Sequence, residues 1–217
     1  MGLFVWFAAL LSRTALHLLA SVKVEIDRDS LPKSGPLIVV ANHISNADPP
    51  FVAGWLTPAL GRQMHILAKR SLFIPVVGFI LRRLGASPVK SGGSDIEAYR
   101  VALGILERGE ILCIFPEGTR SANGEMGEPK PGVAMLATRS GVPILPVGVS
   151  GTDRFLGRGQ RFPRLRAPIT LRVGKPFTVD LDSTRSRREG MQAVSGEIMR
   201  RIADLTDERH RGPYGTS

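Results

Sequence analysis

Leu37-Ile38-Val39-Val40-Ala41, followed at once by Asn42-His43-Ile44-Ser45-Asn46-Ala47-Asp48, is the stretch on which the reading of this chain turns. Pro36 and the polar cluster bound a β-branched run, which is the pattern of a buried strand. The strand delivers a histidine and an aspartate to the loop at its end, where α/β folds keep their chemistry. A general base needs a partner that fixes its tautomer and stabilises its charged form, and a nearby carboxylate supplies both. The run holds no second histidine at metal-ligand spacing and no serine or cysteine in a nucleophile turn. By itself the pair stays open to another reading. Asp48 before Pro49-Pro50 equally describes a helix start beside a surface histidine.

Three further segments narrow the choice. Ile111 to Phe115 is a second buried-strand run, opening into Pro116-Glu117-Gly118-Thr119-Arg120-Ser121. Lys69-Arg70-Ser71-Leu72-Phe73-Ile74-Pro75-Val76-Val77-Gly78 follows the short apolar run from His65 to Ala68. Val142 to Val149 is another apolar run and ends in Ser150-Gly151-Thr152-Asp153. In this order the four segments resemble the four blocks of the glycerolipid acyltransferase family, whose best-known members are the 1-acylglycerol-3-phosphate acyltransferases. The resemblance spans Leu37 to Asp153. Its first and third blocks are specific, and the other two add weight by their order. One position departs: the second block of the family usually closes with an arginine, and this sequence offers Lys90. Lysine keeps the charge but loses the forked geometry of a guanidinium.

The resemblance implies roles. His43 would be the base that deprotonates an acceptor hydroxyl as it attacks a thioester carbonyl, and Asp48 would orient it. Glu117, Gly118, Thr119 and Arg120 would hold a glycerol phosphate, with Lys69 and Lys90 as further substrate contacts. Arg70 and Lys130 are weaker candidates. Ser45 has no nucleophilic role in this scheme and serves the loop's own hydrogen bonds. The acceptor would be 1-acylglycerol-3-phosphate, the product phosphatidate, and the donor acyl-CoA or an acyl carrier protein. No cofactor or metal is expected. The same chemistry on another lysophospholipid or a lyso-ornithine lipid is the alternative, with a non-catalytic basic lipid-binding protein beyond it.

Composition bears on partners. The 217 residues carry a net charge of +10, which calls for an anionic partner. Nucleic acid fits poorly, because the aromatics sit in apolar runs instead of interleaving with the basic residues. A lipid surface fits better. The single Cys113, inside a core strand, rules out an intrachain disulfide and points to a reducing compartment. Gly2 to Leu11 is uninterruptedly apolar until Ser12, Arg13 and His17 break the run, which is shorter than the roughly 20 residues of a spanning helix. No positive segment precedes it as in a secretory signal. The expectation is an interfacial helix with Trp6 near the headgroups, placing the protein at the cytoplasmic face of the cell membrane, peripheral or shallowly inserted.

The whole reads as a single α/β domain with a mostly parallel mixed sheet flanked by helices. Its expected parts are an N-terminal membrane-associating helix (1–22), an acyltransferase domain (23–207) and a flexible tail (208–217). Strands are expected over Val22–Ile26 and Ile169–Val173. Helices are expected over Pro50–Leu60, Ile74–Leu84, Pro131–Ser140 and Met191–Leu205, with another opened by a capping box at Ser94–Glu97 and stopped by Gly109. Arg154 to Arg172 is Arg-, Gly- and Pro-rich with no acidic residue, either a solvated loop or a surface for anionic headgroups and coenzyme phosphates.

Overall fold

The computed structural model describes residues 2–90, 95–181, 184 and 186–215. The strands are β1 (Ala20–Glu25), β2 (Leu37–Ala41), β3 (Met64–Lys69), β4 (Ala86–Val89), β5 (Ile111–Ile114), β6 (Ile144–Ser150) and β7 (Ala167–Val173). They form one sheet of order β1-β7-β6-β2-β5-β3-β4. All pairings are parallel except β6 with β7, so the expected mixed, mostly parallel sheet is present. The helices are α1 (Leu3–Leu19), α2 (Asp48–Leu60), α3 (Pro75–Arg83), α4 (Asp95–Glu107), α5 (Pro131–Ser140), α6 (Thr152–Leu156) and α7 (Arg187–Ala203).

Strand β2 lies at the centre and is fully buried along its length. Because side chains alternate across a strand, Leu37, Val39 and Ala41 feed one core layer with Phe51, Trp55 and Leu56 of α2. Ile38 and Val40 feed the other, with Ile105 of α4, Leu136 of α5 and Ile198 of α7. This two-sided burial explains why the strand is an unbroken apolar run instead of an alternating one. Helix α2 thus packs on one face of the sheet, and α4, α5 and α7 on the other. The parallel strands therefore present their C-terminal ends, and the loops that follow them, along a single edge.

Most sequence expectations hold to within a few residues, and α5 ends at Gly141 in the left-handed conformation as anticipated. Strand β4 and the short helix α6 were not anticipated, since Ala86-Ser87-Pro88-Val89 and Thr152–Leu156 are too short to carry a period. The capping box expected at Ser94 lies outside the described residues. Helix α1 packs by Val5, Ala9 and Leu16. The Ser12 hydroxyl donates to the Pro50 carbonyl at 3.2 Å, and Arg13 lies 5.8 Å from the centre of the Trp55 ring. Its other side leaves Leu3, Phe7, Leu11 and Leu18 exposed. No helix among the described residues is long and apolar enough to cross a membrane.

Two expectations need correction. The tail was expected to be flexible from 208, yet residues 208–215 fold back as two short turns, Glu208–His210 and Gly212–Tyr214, with His210 fully buried. Buried polar groups are retained where they are hydrogen-bonded, and His210 accepts from the Gly151 amide and bonds the Gly124 carbonyl. Arg172 closes the basic segment expected to be a solvated loop or an anion-contacting surface, but it is half-buried in β7 and paired with Asp207 at 3.0 Å and Glu25 at 3.4 Å.

Gly151 turns the chain from β6 into α6 at φ 86°, and a Cβ there would overlap the Pro168 carbonyl oxygen. Gly151→Ala is expected to lower the unfolding free energy by about 2–4 kcal/mol, read as a fall in midpoint in denaturant titrations. A midpoint unchanged from the parent would contradict this packing.

Candidate active site

His43 and Asp48, five residues apart in sequence, meet in space. His43 Nδ1 lies 2.9 Å from Asp48 Oδ2, and the same oxygen accepts from the amides of Ile44 and Ser45, each at 2.7 Å. Asp48 Oδ1 accepts from the Thr152 hydroxyl at 2.5 Å. The carboxylate is fully buried, at the first residue of α2. An ionised carboxylate only accepts, so the hydrogen sits on Nδ1 and Nε2 is left with its lone pair. The ring stacks on Phe115 with centroids 4.3 Å apart, and its side chain is 17% exposed. A base held this way has, among the described residues, one free nitrogen, one fixed tautomer and a route to the surface.

The backbone of His43 is gripped from the loop that follows β5. Its amide donates to Glu117 Oε2 at 3.0 Å, and its carbonyl accepts from the Ser121 amide at 2.8 Å. Asn42 does the same on the other side, its side chain exchanging two 2.8 Å bonds with the backbone of Val149. Ser45 is buried and spends its hydroxyl on the Leu156 carbonyl while accepting from the Ala47 amide, the structural role expected of it.

The acyltransferase family model matches residues 22–150, which hold every one of these groups except Thr152 and Leu156. The chain belongs to that family. Among its relatives, a chloroplast 1-acyl-sn-glycerol-3-phosphate acyltransferase of Brassica napus is 29% identical over 177 residues, 77% of this chain and 50% of that protein. The 1-acyl-sn-glycerol-3-phosphate acyltransferase of Borreliella burgdorferi is 34% identical over 142 residues, covering 63% and 55%. The chain spans about half the length of these curated relatives. The crystal structure of the 1-acyl-sn-glycerophosphate acyltransferase of Thermotoga maritima superposes with a TM-score of 0.75 at 29% identity, covering 93% of this chain and 79% of that one.

Within this acyltransferase fold the other expected site residues divide. Gly118 and Thr119 are exposed and Arg120 is half-exposed, one residue from the Ser121 amide that bonds His43. Gly118 sits at φ 66°, the left-handed conformation that favours glycine, and the Lys130 side chain lies against it. Glu117 departs from expectation. It was assigned to the phosphate contact, yet its carboxyl turns inward, is 6% exposed and bonds the His43 amide, with no ion pair to Arg120. Among the described residues its Oε1 has no partner within ordinary hydrogen-bond geometry. Burial pushes its pKa up to about 8; the His43 amide opposes this, the Asp48 charge adds to it, and the Gly127 amide opposes it more weakly. Glu117 thus holds its proton near neutral pH and keeps a second full negative charge away from Asp48.

Lys69 is exposed at the end of β3 and Lys90 is exposed just past β4. The strand register carries Lys69 level with Asn42, and Lys90 level with His43. Two strand spacings separate Lys69 from β2 and three separate Lys90, about 10 and 14 Å. Both stand on the edge that carries His43, outside the immediate cluster. Arg70 is engaged with Glu97 at 2.8 Å. Burial pushes the Cys113 thiol up to about 12, so it is an inert core side chain. Among the described residues no group of three or more His, Cys, Asp or Glu is placed to hold a metal ion. A shallow concavity lined by Val179, Asp180, Gly190 and Glu197 contains none of the site residues.

Sequence reasoning missed Thr152, Asn42 and Ser121. The fourth block did place Thr152 after a strand, but nothing local says that it reaches a carboxylate 104 residues earlier.

Two buried groups titrate in opposite senses. Glu117 has its folded pKa raised, so its contribution to stability is fully present below about 4.5 and is lost as pH rises through about 8. His210 has its folded pKa lowered, chiefly by burial, so its contribution is present above about 6.5 and is lost as pH falls. Glu117→Gln is expected to remove the first dependence. The stability of the parent relative to this variant should decline by a few kcal/mol between pH 5 and about pH 9, measured by chemical denaturation. A difference that stays flat across that range would show that Glu117 ionises freely in the folded protein.

Proposed function

We propose that the protein transfers a fatty acyl group from acyl-CoA or an acyl carrier protein to the free hydroxyl of 1-acylglycerol-3-phosphate, forming phosphatidate. The observation that carries this is the His43–Asp48 pair with Nε2 unengaged, one loop away from Arg120. The reading draws further support from relatives whose names are those of 1-acyl-sn-glycerol-3-phosphate acyltransferases.

In the proposed reaction, Nε2 of His43 takes the proton of the acceptor hydroxyl as its oxygen attacks the thioester carbon. Asp48 stabilises the imidazolium that forms, through the Nδ1 hydrogen. The tetrahedral intermediate then collapses, the carbon–sulfur bond breaks, and the imidazolium returns the proton to the departing thiolate. No acyl-enzyme, metal or cofactor takes part. Arg120 holds the acceptor phosphate with its planar fork, and the exposed backbone of Gly118 and Thr119 lines the approach. Lys69 and Lys90 act at longer range, as cations that draw the two anionic substrates to this edge. Glu117 acts through His43, as a positioning residue. The exposed apolar side of α1 rests on the cytoplasmic leaflet, so that the protein is peripheral or shallowly inserted and receives its acceptor from the membrane.

The test is transfer to lysophosphatidate from several acyl thioesters, with products identified by mass spectrometry. His43→Ala should lower the rate by about 100-fold or more while vesicle binding is kept. Arg120→Ala should raise KM for lysophosphatidate more than it lowers kcat. Acylation confined to acceptors without a phosphate, such as a lyso-ornithine lipid, would replace the proposed substrate. Full activity in His43→Ala would remove the proposed base.

A further inference from the structure

Helix α3 departs from the ordinary surface helix, which turns an apolar stripe inward and a polar face to water. Ile74, Val76, Val77, Phe79 and Ile80, with Leu72 in the turn before them, are between 42% and 73% exposed. Gly78 is the one residue of α3 that is buried. Apolar side chains gathered this densely on a surface mark a binding site. The charge within their own stretch of chain is one-sided. Residues 69–90 contain five basic residues, Lys69, Arg70, Arg82, Arg83 and Lys90, and no acidic one. Arg82 lies 5.1 Å from the centre of the Phe73 ring and Arg83 lies 5.3 Å from that of Phe79. Their guanidinium groups thus lie over aromatic rings of the apolar surface and bring positive charge to it.

We propose that the turn Arg70–Leu72 and helix α3 form a second membrane-embedding element, seated in the interface of an anionic leaflet. The proposal rests on the lipid-surface reading given above and extends it to a surface that the sequence expectation did not include. An apolar body rimmed by Lys69, Arg82, Arg83 and Lys90, with Arg70 paired to Glu97 of α4, complements lipid tails beneath anionic headgroups. The same rim opposes self-association, because each copy would bring its cations against those of the other. Position gives the element its use. Helix α1 joins β1 at one end of the sheet, α3 lies between β3 and β4 at the other, and β2 with His43 is the central strand between them. The chain enters the Arg70 turn from the C-terminal end of β3, the edge on which His43 stands. One contact would leave that edge free to tilt, whereas two contacts hold it down on the leaflet.

The test uses the full chain carrying Trp6→Phe and Phe79→Trp, with the buried Trp55 as internal reference. Vesicles of phosphatidylcholine, with or without phosphatidylglycerol, carry bromine on their acyl chains. The expected result is a blue shift and strong quenching of the indole at position 79 on phosphatidylglycerol-containing vesicles. A His43→Ala version should be quenched equally, which separates this proposal from the catalytic one. Val76→Ser/Phe79→Ser/Ile80→Ser should weaken vesicle binding by about ten-fold or more while transfer to a soluble short-chain acceptor is unchanged. The proposal is overturned by an unquenched indole at position 79 on vesicles that quench the parent's Trp6. It is equally overturned if the triple variant loses activity on the soluble acceptor, or dissociates a dimer of the parent protein. A parent chain that binds no vesicle at all removes this proposal and the lipid-surface reading together, leaving the transfer assay to decide the chemistry alone.

Discussion

A carboxylate withdrawn from water must find its compensation inside the protein, and Asp48 finds it in four donors. The imidazole, two consecutive amides and the Thr152 hydroxyl surround its two oxygens. Such a charge is tolerable only while the set is complete, since a buried ion that loses partners carries the full penalty of desolvation. The constraint runs outward from there. The amides of Ile44 and Ser45 converge only if the chain turns tightly after β2, and Thr152 arrives only if β6 lies beside β2. The geometry of the base is therefore set by the sheet as much as by its own loop.

The backbone of His43 is bound in turn to the loop after β5, through Glu117 and Ser121. That loop also carries Arg120, so the group proposed to hold the phosphate and the group proposed to take the proton share one rigid unit. The C-terminal segment closes the arrangement from behind. His210 ties Gly151, at the head of α6, to Gly124, in the segment that follows Arg120. The chain end thus braces both the element that supplies Thr152 and the loop that supplies Arg120. Catalysis by positioning needs this kind of support, because a displacement of an ångström in a base or a phosphate contact costs far more rate than stability.

The site is an open edge, and the surface beside it is divided between apolar helices and basic residues. An acceptor that is itself a lipid does not need an enclosed cavity to bury its chain, if the membrane does so. The proposed membrane seat would give the exposed apolar side chains on α1 and α3 and the surplus of positive charge one common explanation. The arginines from Arg154 to Arg166 remain exposed, while Arg172 is occupied within the fold.

The sequence by itself determined a great deal here: the buried strand before His43, the carboxylate five positions on, the order of the four blocks and the alternation that makes a parallel sheet. These are local patterns, and local physics reads them. Hydrophobic period, helix-stopping glycines and prolines at helix starts act within a few residues of where they are written. Only the tertiary structure decided that Glu117 turns inward to the His43 amide, that Thr152 completes the shell of Asp48, and that His210 folds the tail back. It also decided which apolar faces stay uncovered. Each of these depends on residues dozens to more than a hundred positions apart that meet because strands pair, and no window along the chain contains both partners.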